Sequence, residues 1–160
     1  RMQRVRLGDG APRVLVDFAH TPEAVTAALA GLPRPRIVVL GAGGDRDPGK
    51  REPMGAAAAA HAELVIVTDD NPRSEPPQSI RDRVLAGARA QGGAEVLDGG
   101  DRRSALALAL RRATPETWVA VLGKGHESGQ EIAGVISPFD DVAVVRQEWQ
   151  GVRGGSNDGA

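Results

Sequence analysis

Four short apolar runs in this chain each end in a loop rich in glycine and charged residues, and this arrangement constrains the fold more than any other feature. The four loops are 17–22, 41–47, 69–73 and 123–127. Short runs of Val, Ile and Leu that alternate with helix-like segments favour the buried strands of a parallel sheet. We therefore predict an α/β fold, with a Rossmann-like, mostly parallel sheet of about six strands and helices on both faces.

Local signals give the approximate positions of the elements. Predicted strands cover 14–18, 36–40, 64–67, 94–97 and 117–122, and predicted helices cover 23–32, 51–62, 74–90 and 140–150. Thr21 and Pro22 are typical of a helix start. Segment 104–110 alternates like a strand, but its Ala and Leu content and the cap that Asp101 offers favour a helix. Residues 3–7 are predicted to pair with the first strand as a hairpin.

Composition excludes several classes of protein. The net charge is −1 without a basic stripe, which argues against a nucleic-acid partner. Because no apolar run reaches the ~20 residues of a membrane span, we expect no membrane segment. The absence of cysteine excludes disulfides and fits a cytoplasmic protein. We expect residues 1–150 to form one domain and 151–160 a flexible tail, and the Arg1–Met2 start suggests a piece of a longer protein.

The loop that follows residue 40 resembles two nucleotide-binding motifs but satisfies neither. Gly44-x-x-x-x-Gly49-Lys50 is followed by Arg51, where a phosphate-binding loop needs Ser or Thr. The third glycine of a dinucleotide fingerprint is replaced by Arg46. We instead predict that the flanking aspartates hold the Arg46 guanidinium towards a carboxylate ligand.

The four loops are expected to meet at one edge of the sheet, because ligands bind at the carboxyl ends of parallel strands. Arg73, fixed just beyond a proline, suits bidentate carboxylate binding, and Glu127 could accept hydrogen bonds from an ammonium group. Asp17 ends a buried strand and needs a partner, either a ribose hydroxyl pair or a backbone amide. His20 and His126 are more often structural than catalytic at such positions. This mixture of charges suits a ligand that carries both amino and carboxylate groups.

Taken together, the motifs resemble the C-terminal domain of the Mur ligases over residues 1–145. The matching segments are Val16-Asp17-Phe18-Ala19-His20-Thr21-Pro22, 41–51, Thr68-Asp69-Asp70-Asn71-Pro72-Arg73, and Gly123-Lys124-Gly125-His126-Glu127 with Gln130. Phe18 stands where the family has tyrosine. The Asp-Asn-Pro-Arg form is associated with members that attach meso-diaminopimelate, whereas lysine-adding relatives usually lack this arginine.

The resemblance implies roles for particular residues. Those implied for meso-diaminopimelate binding are Arg46, Asp70, Asn71, Arg73, Gly123 and Glu127, and those implied for ATP binding are Arg1, Asp17 and His20. No catalytic or metal-binding residue is expected in this domain. ATP and Mg²⁺ would be bound mainly by a central domain that this chain lacks, as it also lacks the N-terminal domain that binds the UDP-sugar.

The implied reaction is ATP-dependent addition of meso-diaminopimelate to UDP-N-acetylmuramoyl-L-alanyl-D-glutamate through an acyl phosphate, in peptidoglycan precursor synthesis. The chain alone is expected to be inactive. Two alternatives remain open at this point. One is a sibling ligase that adds another amino acid such as L-lysine, and the other is a binding module for an amino acid or a nucleotide that performs no chemistry.

Overall fold

The computed structural model describes residues 2–158, which form a six-stranded sheet, a separate two-stranded hairpin and five α-helices. The strands are β1 (Gln3–Val5), β2 (Arg13–Asp17), β3 (Arg36–Leu40), β4 (Leu64–Thr68), β5 (Glu95–Gly100), β6 (Trp118–Leu122), β7 (Gly129–Ile132) and β8 (Val135–Pro138). The helices are α1 (Pro22–Ala30), α2 (Arg51–His61), α3 (Pro77–Gln91), α4 (Arg102–Arg112) and α5 (Asp141–Asp158). A short 3₁₀ turn, Pro48–Lys50, leads into α2.

The main sheet has the strand order β1-β2-β6-β3-β4-β5. Only β1 runs antiparallel, and it pairs with β2 as the hairpin predicted from the alternating N-terminal residues. The other pairs, β2 with β6, β6 with β3, β3 with β4 and β4 with β5, are parallel. The predicted α/β class and the six-stranded, mostly parallel sheet are therefore confirmed.

Helices cover both faces of the sheet, as predicted. One core cluster packs α1, α2 and α3 against the sheet, with Leu29, Met54 and Val84 fully buried. The second cluster packs α4 and α5 on the other face, through residues such as Leu106 and Val145. Each face buries alternate side chains of the same strands, which explains the continuous apolar runs of β3 and β4.

Local capping chemistry sets two of the helix starts. Thr21 accepts a hydrogen bond from the Ala24 N–H, and Pro22 occupies the first position of α1. Asp101 accepts a hydrogen bond from the Ser104 N–H at the start of α4. The ambiguous segment 104–110 is therefore helical, as its composition indicated.

Two segments differ from the sequence-based expectation. The hairpin of β7 and β8 was not predicted, and it turns through Ala133 and Gly134, which both have positive φ. Helix α5 continues to Asp158, so residues 151–158 of the expected tail belong to a helix, and residues 159–160 lie outside the described residues. None of the helices in residues 2–158 combines the length and apolar character needed to cross a membrane.

Candidate functional site

A cavity of about 310 Å³ opens at the carboxyl edge of the main sheet, beside the ends of β3, β4 and β6. This volume lies at the lower end of the range for small-molecule sites. Among its lining residues are all six that the sequence implicated in amino-acid binding: Arg46, Asp70, Asn71, Arg73, Gly123 and Glu127. Three loops that are distant in sequence therefore converge on one cavity, because their strands are neighbours in a parallel sheet.

Arg73 has an unusual backbone conformation, with φ of +53°. Its N–H donates to the Glu131 carbonyl oxygen, and its own carbonyl oxygen accepts from the Ala133 N–H, so the β7–β8 hairpin holds the residue in place. The side chain lines the cavity, and its Nη1 donates to the Gly44 carbonyl oxygen at 2.7 Å. A non-glycine residue in this region costs of order 1–3 kcal/mol, and such residues cluster at functional sites.

The loop that carries Arg46 is shaped differently from the prediction. Asp45 accepts hydrogen bonds from the Ser74 side chain and N–H, and Asp47 caps the 3₁₀ turn through the Gly49 N–H. The prediction that the two aspartates hold the Arg46 guanidinium was therefore wrong, because both carboxylates satisfy backbone or hydroxyl donors of the loops. Arg46 is exposed, and its Nη1 donates only to the Asp45 carbonyl oxygen, at 3.2 Å, among the described residues.

Asp70 places a buried carboxylate at the cavity. Its residue is 7% exposed, and no side-chain hydrogen bond in the described part of the chain ends on that carboxylate. Burial raises the pKa of Asp70, while the positive charges of Arg102 and Lys124 act in the opposite direction. A Cβ built on Gly123, which has φ of +115°, would lie 2.8 Å from Asp70 Oδ2. Glycine at this position lets the two loops approach each other closely.

Asn71 and Glu127 connect the same loops. Asn71 Oδ1 accepts a hydrogen bond from the Glu131 N–H at 2.8 Å, and Nδ2 donates to Glu127 Oε2 at 3.4 Å. Gln130 Nε2 donates to the Asp70 carbonyl oxygen at 2.8 Å. Asn71 therefore has a structural role in addition to lining the cavity.

Two of the three residues implied for ATP, Asp17 and His20, lie to one side, at and just after the end of β2. Asp17 Oδ2 accepts from the Ala19 N–H, which is the backbone partner considered in the sequence analysis. His20 Nδ1 lies 2.9 Å from the Phe18 carbonyl oxygen, and the two rings are 4.6 Å apart. His20 and Phe18 both reach the lining of the cavity, whereas Asp17 is not among the lining residues. Arg1 lies outside the described residues.

Comparison with known families agrees with this geometry. A family model described as the Mur ligase, glutamate ligase domain matches residues 1–125. The chain belongs to the Mur ligase family. The match includes the cavity residues of the loops that follow β3, β4 and β6, up to Gly123.

Relatives of this Mur ligase domain carry a more specific name. The UDP-N-acetylmuramoyl-L-alanyl-D-glutamate–2,6-diaminopimelate ligase of Caulobacter vibrioides is 48% identical over 157 residues, covering 95% of this chain and 31% of the relative. The ligase of the same name from Corynebacterium glutamicum is 50% identical over 157 residues, covering 91% of this chain and 30% of the relative. The chain thus spans about a third of the length of the curated relatives it matches.

Solved structures place the fold in the same group. A structure of a ligase of the same name is 38% identical with a TM-score of 0.84, covering 96% of this chain and 32% of that chain. An E. coli FolC structure in complex with ADP is 18% identical with a TM-score of 0.52, covering 96% of this chain and 32% of that chain. The second likeness concerns the fold alone.

Sequence reasoning missed an ion pair that joins the Arg46 loop to the segment after Arg73 in this Mur ligase domain. Arg51 is 5% exposed and lines the cavity. Its guanidinium donates to both carboxylate oxygens of Glu75, at 3.1 and 2.6 Å, and to the Gly43 carbonyl oxygen. Glu75 also accepts from the Asp45 N–H at 2.7 Å. The sequence shows Arg51 as the mismatch in a phosphate-binding loop, as the end of the family segment 41–51 and as the start of a predicted helix, and none of these features indicates a buried ion pair.

Two further buried cations lie beneath the cavity and were also missed as structural residues. Lys124 is fully buried, donates to the Gly129 carbonyl oxygen, and has its pKa lowered by burial. Arg102 is 1% exposed at the first position of α4. A positive charge there opposes the helix dipole, and this anomaly is the signal that could have indicated a specific partner.

Proposed function

We propose that this chain is the amino-acid-binding C-terminal domain of an ATP-dependent ligase that adds meso-diaminopimelate to UDP-N-acetylmuramoyl-L-alanyl-D-glutamate. The observation that carries the proposal is the single cavity that joins Arg46 and Arg73 with Asp70 and Glu127. Two carboxylates and two amines on the amino acid would meet two arginines and two acids. The names of the relatives that cover most of this chain support the same assignment.

In this proposal the domain positions the nucleophile. The γ-carboxylate of D-glutamate first takes the γ-phosphoryl group of ATP, giving an acyl phosphate and ADP. The amine at the L-centre of diaminopimelate then attacks the acyl carbon, inorganic phosphate leaves, and the nitrogen loses its extra proton as the amide forms. Holding the amine in line with the acyl carbon is worth up to roughly 7–11 kcal/mol in favourable cases.

Arg73 is the residue expected to select diaminopimelate over lysine. Apart from the contact of Nη1 with Gly44, its guanidinium has no hydrogen-bond acceptor among the described residues, so donors remain for a ligand carboxylate. A guanidinium fork matches a carboxylate in two parallel hydrogen bonds. Lysine lacks the second carboxylate of diaminopimelate and would leave this fork without a partner.

ATP and Mg²⁺ belong to the proposal through the rest of the enzyme. The described residues contain no group of three or more His, Asp or Glu side chains that could hold a metal ion. In this proposal Mg²⁺ would be bound by another part of the enzyme, and the residues of this chain that would contact ATP are Asp17, His20 and Arg1. A cytoplasmic location follows from the same proposal, because the enzyme would consume ATP and a nucleotide-linked substrate.

The test is a comparison of meso-diaminopimelate and L-lysine as substrates of the full-length protein that contains this chain. We expect ligation of diaminopimelate to be strongly preferred. Arg73→Ala should lower the apparent affinity for diaminopimelate by about two to three orders of magnitude, the loss expected when a buried carboxylate loses its cation. The KM for ATP should change little.

Arg83→Ala is the matched control, because Arg83 is an exposed arginine of α3 that pairs with Glu52 away from the cavity.

Preference for lysine would support the sibling ligase. Binding of either amino acid without amide formation would support the binding module. The 160-residue chain alone is expected to show no ATP hydrolysis. Mg²⁺-dependent hydrolysis by the purified chain would contradict the proposal that another part of the enzyme binds Mg²⁺ and activates the phosphate.

A further inference from the structure

Arg102 forms a fully buried ion pair beneath the cavity. Both side chains of the pair are 0% exposed. Arg102 Nε donates to Asp141 Oδ1 at 2.7 Å and Nη2 donates to Asp141 Oδ2 at 2.8 Å, so the guanidinium and the carboxylate meet as a two-bond fork. Asp141 is the first residue of α5. The pair thus fixes the orientation of the guanidinium relative to both helices on this face.

The remaining donors of the guanidinium reach the ends of two strands. Nη1 donates to the Asp69 carbonyl oxygen at 3.2 Å, and Nη2 donates to the Leu122 carbonyl oxygen at 3.3 Å. Asp69 precedes Asp70, and Leu122 precedes Gly123, so both carbonyl groups lie next to cavity residues. Strand β3 separates β4 from β6 in the sheet, and backbone pairing therefore does not join these two strand ends directly. Arg102 does join them.

We propose, on the basis of the function proposed above, that Arg102 is a positioning residue for amino-acid binding, which sets the spacing between the Asp70 loop and the Gly123–Glu127 loop. Asp141 acts through Arg102 by fixing the guanidinium plane. The ligand would contact both loops, so a change in their separation would misplace its ammonium group. Neither Arg102 nor Asp141 lines the cavity or would touch the ligand.

Arg102 also affects the charge of Asp70. Burial raises the pKa of Asp70, the charges of Arg102 and Lys124 lower it, and the charges of Glu127 and Asp141 raise it. These groups come from α4, α5 and the loop after β6. Arg102 lowers the pKa of Asp70 more than Asp141 raises it, so removing both charges is expected to raise the pKa of Asp70 further. Only ionised Asp70 carries the negative charge that makes its hydrogen bonds with an ammonium group charge-assisted on both sides.

The experiment uses the full-length protein with two variants. Arg102→Lys keeps the charge but removes the fork, and the double variant Arg102→Met with Asp141→Leu removes both charges. We expect both to raise the KM for meso-diaminopimelate by up to about 100-fold, the loss that a misplacement of about 1 Å can cause. The KM for ATP should stay within about twofold of wild type. The double variant alone should lose diaminopimelate binding at a higher pH than wild type as the pH is lowered.

Arg103→Met is the control, since Arg103 is the exposed neighbour on α4 and pairs with Glu148. An unchanged diaminopimelate KM in a folded variant would overturn the proposal, and so would an equal rise in the KM for ATP. Failure of Arg102→Lys to fold would also overturn it, because the residue would then serve the fold and not the loop spacing. If the wild-type protein does not ligate diaminopimelate, the proposed function fails separately. In that case, amide hydrogen exchange at residues 69–71 and 123–127 tests whether Arg102 holds the two loops. We expect faster exchange in Arg102→Lys than in wild type, and unchanged exchange would refute the role.

Discussion

Replacing Gly87 with alanine should destabilise the domain, although alanine is the better helix former. Helices α2 and α3 cross at this glycine: a Cβ built on Gly87 would lie 1.9 Å from the Glu52 carbonyl oxygen and 2.7 Å from the Glu52 Cα. The obstructing atoms belong to the backbone and cannot rotate away. The two helices must therefore move apart to accept a methyl group.

The size of the effect follows from two opposing contributions. A carbon–oxygen contact needs about 3.3 Å, so the helices would separate locally by about 1.4 Å. Overpacking of this kind costs about 3 kcal/mol at the upper end of the usual range, because surrounding contacts are lost along the interface. The higher helix propensity of alanine over glycine offsets about 1 kcal/mol of this cost. The net loss is about 2 kcal/mol, which lowers Tm by roughly 4–8 °C for a domain of this size.

Gly151→Ala is the matched control, since Gly151 is also helical but a Cβ there has open space around it. It should raise the free energy of unfolding by up to about 1 kcal/mol. Equilibrium denaturation of both variants beside wild type makes the comparison. If Gly87→Ala proved as stable as wild type while Gly151→Ala gained stability, the close approach of α2 and α3 would be refuted.

Two further predictions concern the cavity loops. In the full-length protein, Arg46→Ala should raise the KM for the amino acid about tenfold, the loss of one charge-assisted hydrogen bond, while the KM for ATP holds; a collapse of ATP binding instead would mean that this loop binds phosphate. Ser74→Ala should raise the pKa of Asp45 towards its ordinary value, because the Ser74 hydroxyl is the main cause of its lowered pKa. A carboxylate whose pKa is lowered in the folded state stabilises the fold above its ordinary pKa of about 4, and this stabilisation is lost as the pH falls through the lowered pKa. Ser74→Ala should therefore also make the free energy of unfolding less sensitive to acid below about pH 4. Carboxyl NMR titration of Asp45 checks the first effect, and an unshifted titration would contradict the assigned cause.

The strands, their parallel pairing and the position of the cavity could be predicted because each depends on short-range sequence patterns. Apolar runs of five residues give β3 and β4, and polar residues directly after them give the cavity loops. Capping residues such as Thr21 and Asp101 act within three positions along the chain. The edge of the sheet then follows from the general rule for parallel strands, without knowledge of side-chain contacts.

The features that could not be predicted depend on contacts between distant residues. Arg102 and Asp141 are 39 positions apart, and neither is unusual within its own segment except for the charge of Arg102 at a helix start. The β7–β8 hairpin carries few strand-forming residues in its first strand and leaves Val135 and Ile136 exposed, so no amphipathic pattern marks it. The positive φ of Arg73 is imposed by this hairpin and has no signal in the residue itself.

Two of the buried arginines, Arg51 and Arg102, explain how the cavity can keep its geometry while its own charges vary. Arg51 braces the Arg46 loop through Glu75. Arg102, which is held by Asp141, donates directly to the carbonyl oxygens of Asp69 and Leu122 at the ends of β4 and β6. Arginine side chains stay protonated at all ordinary pH values. Lysine in such a position loses its proton more easily, as the lowered pKa of buried Lys124 illustrates. The response of the cavity to acid is therefore expected to come from the carboxylates, and first from Asp70, whose pKa is already raised.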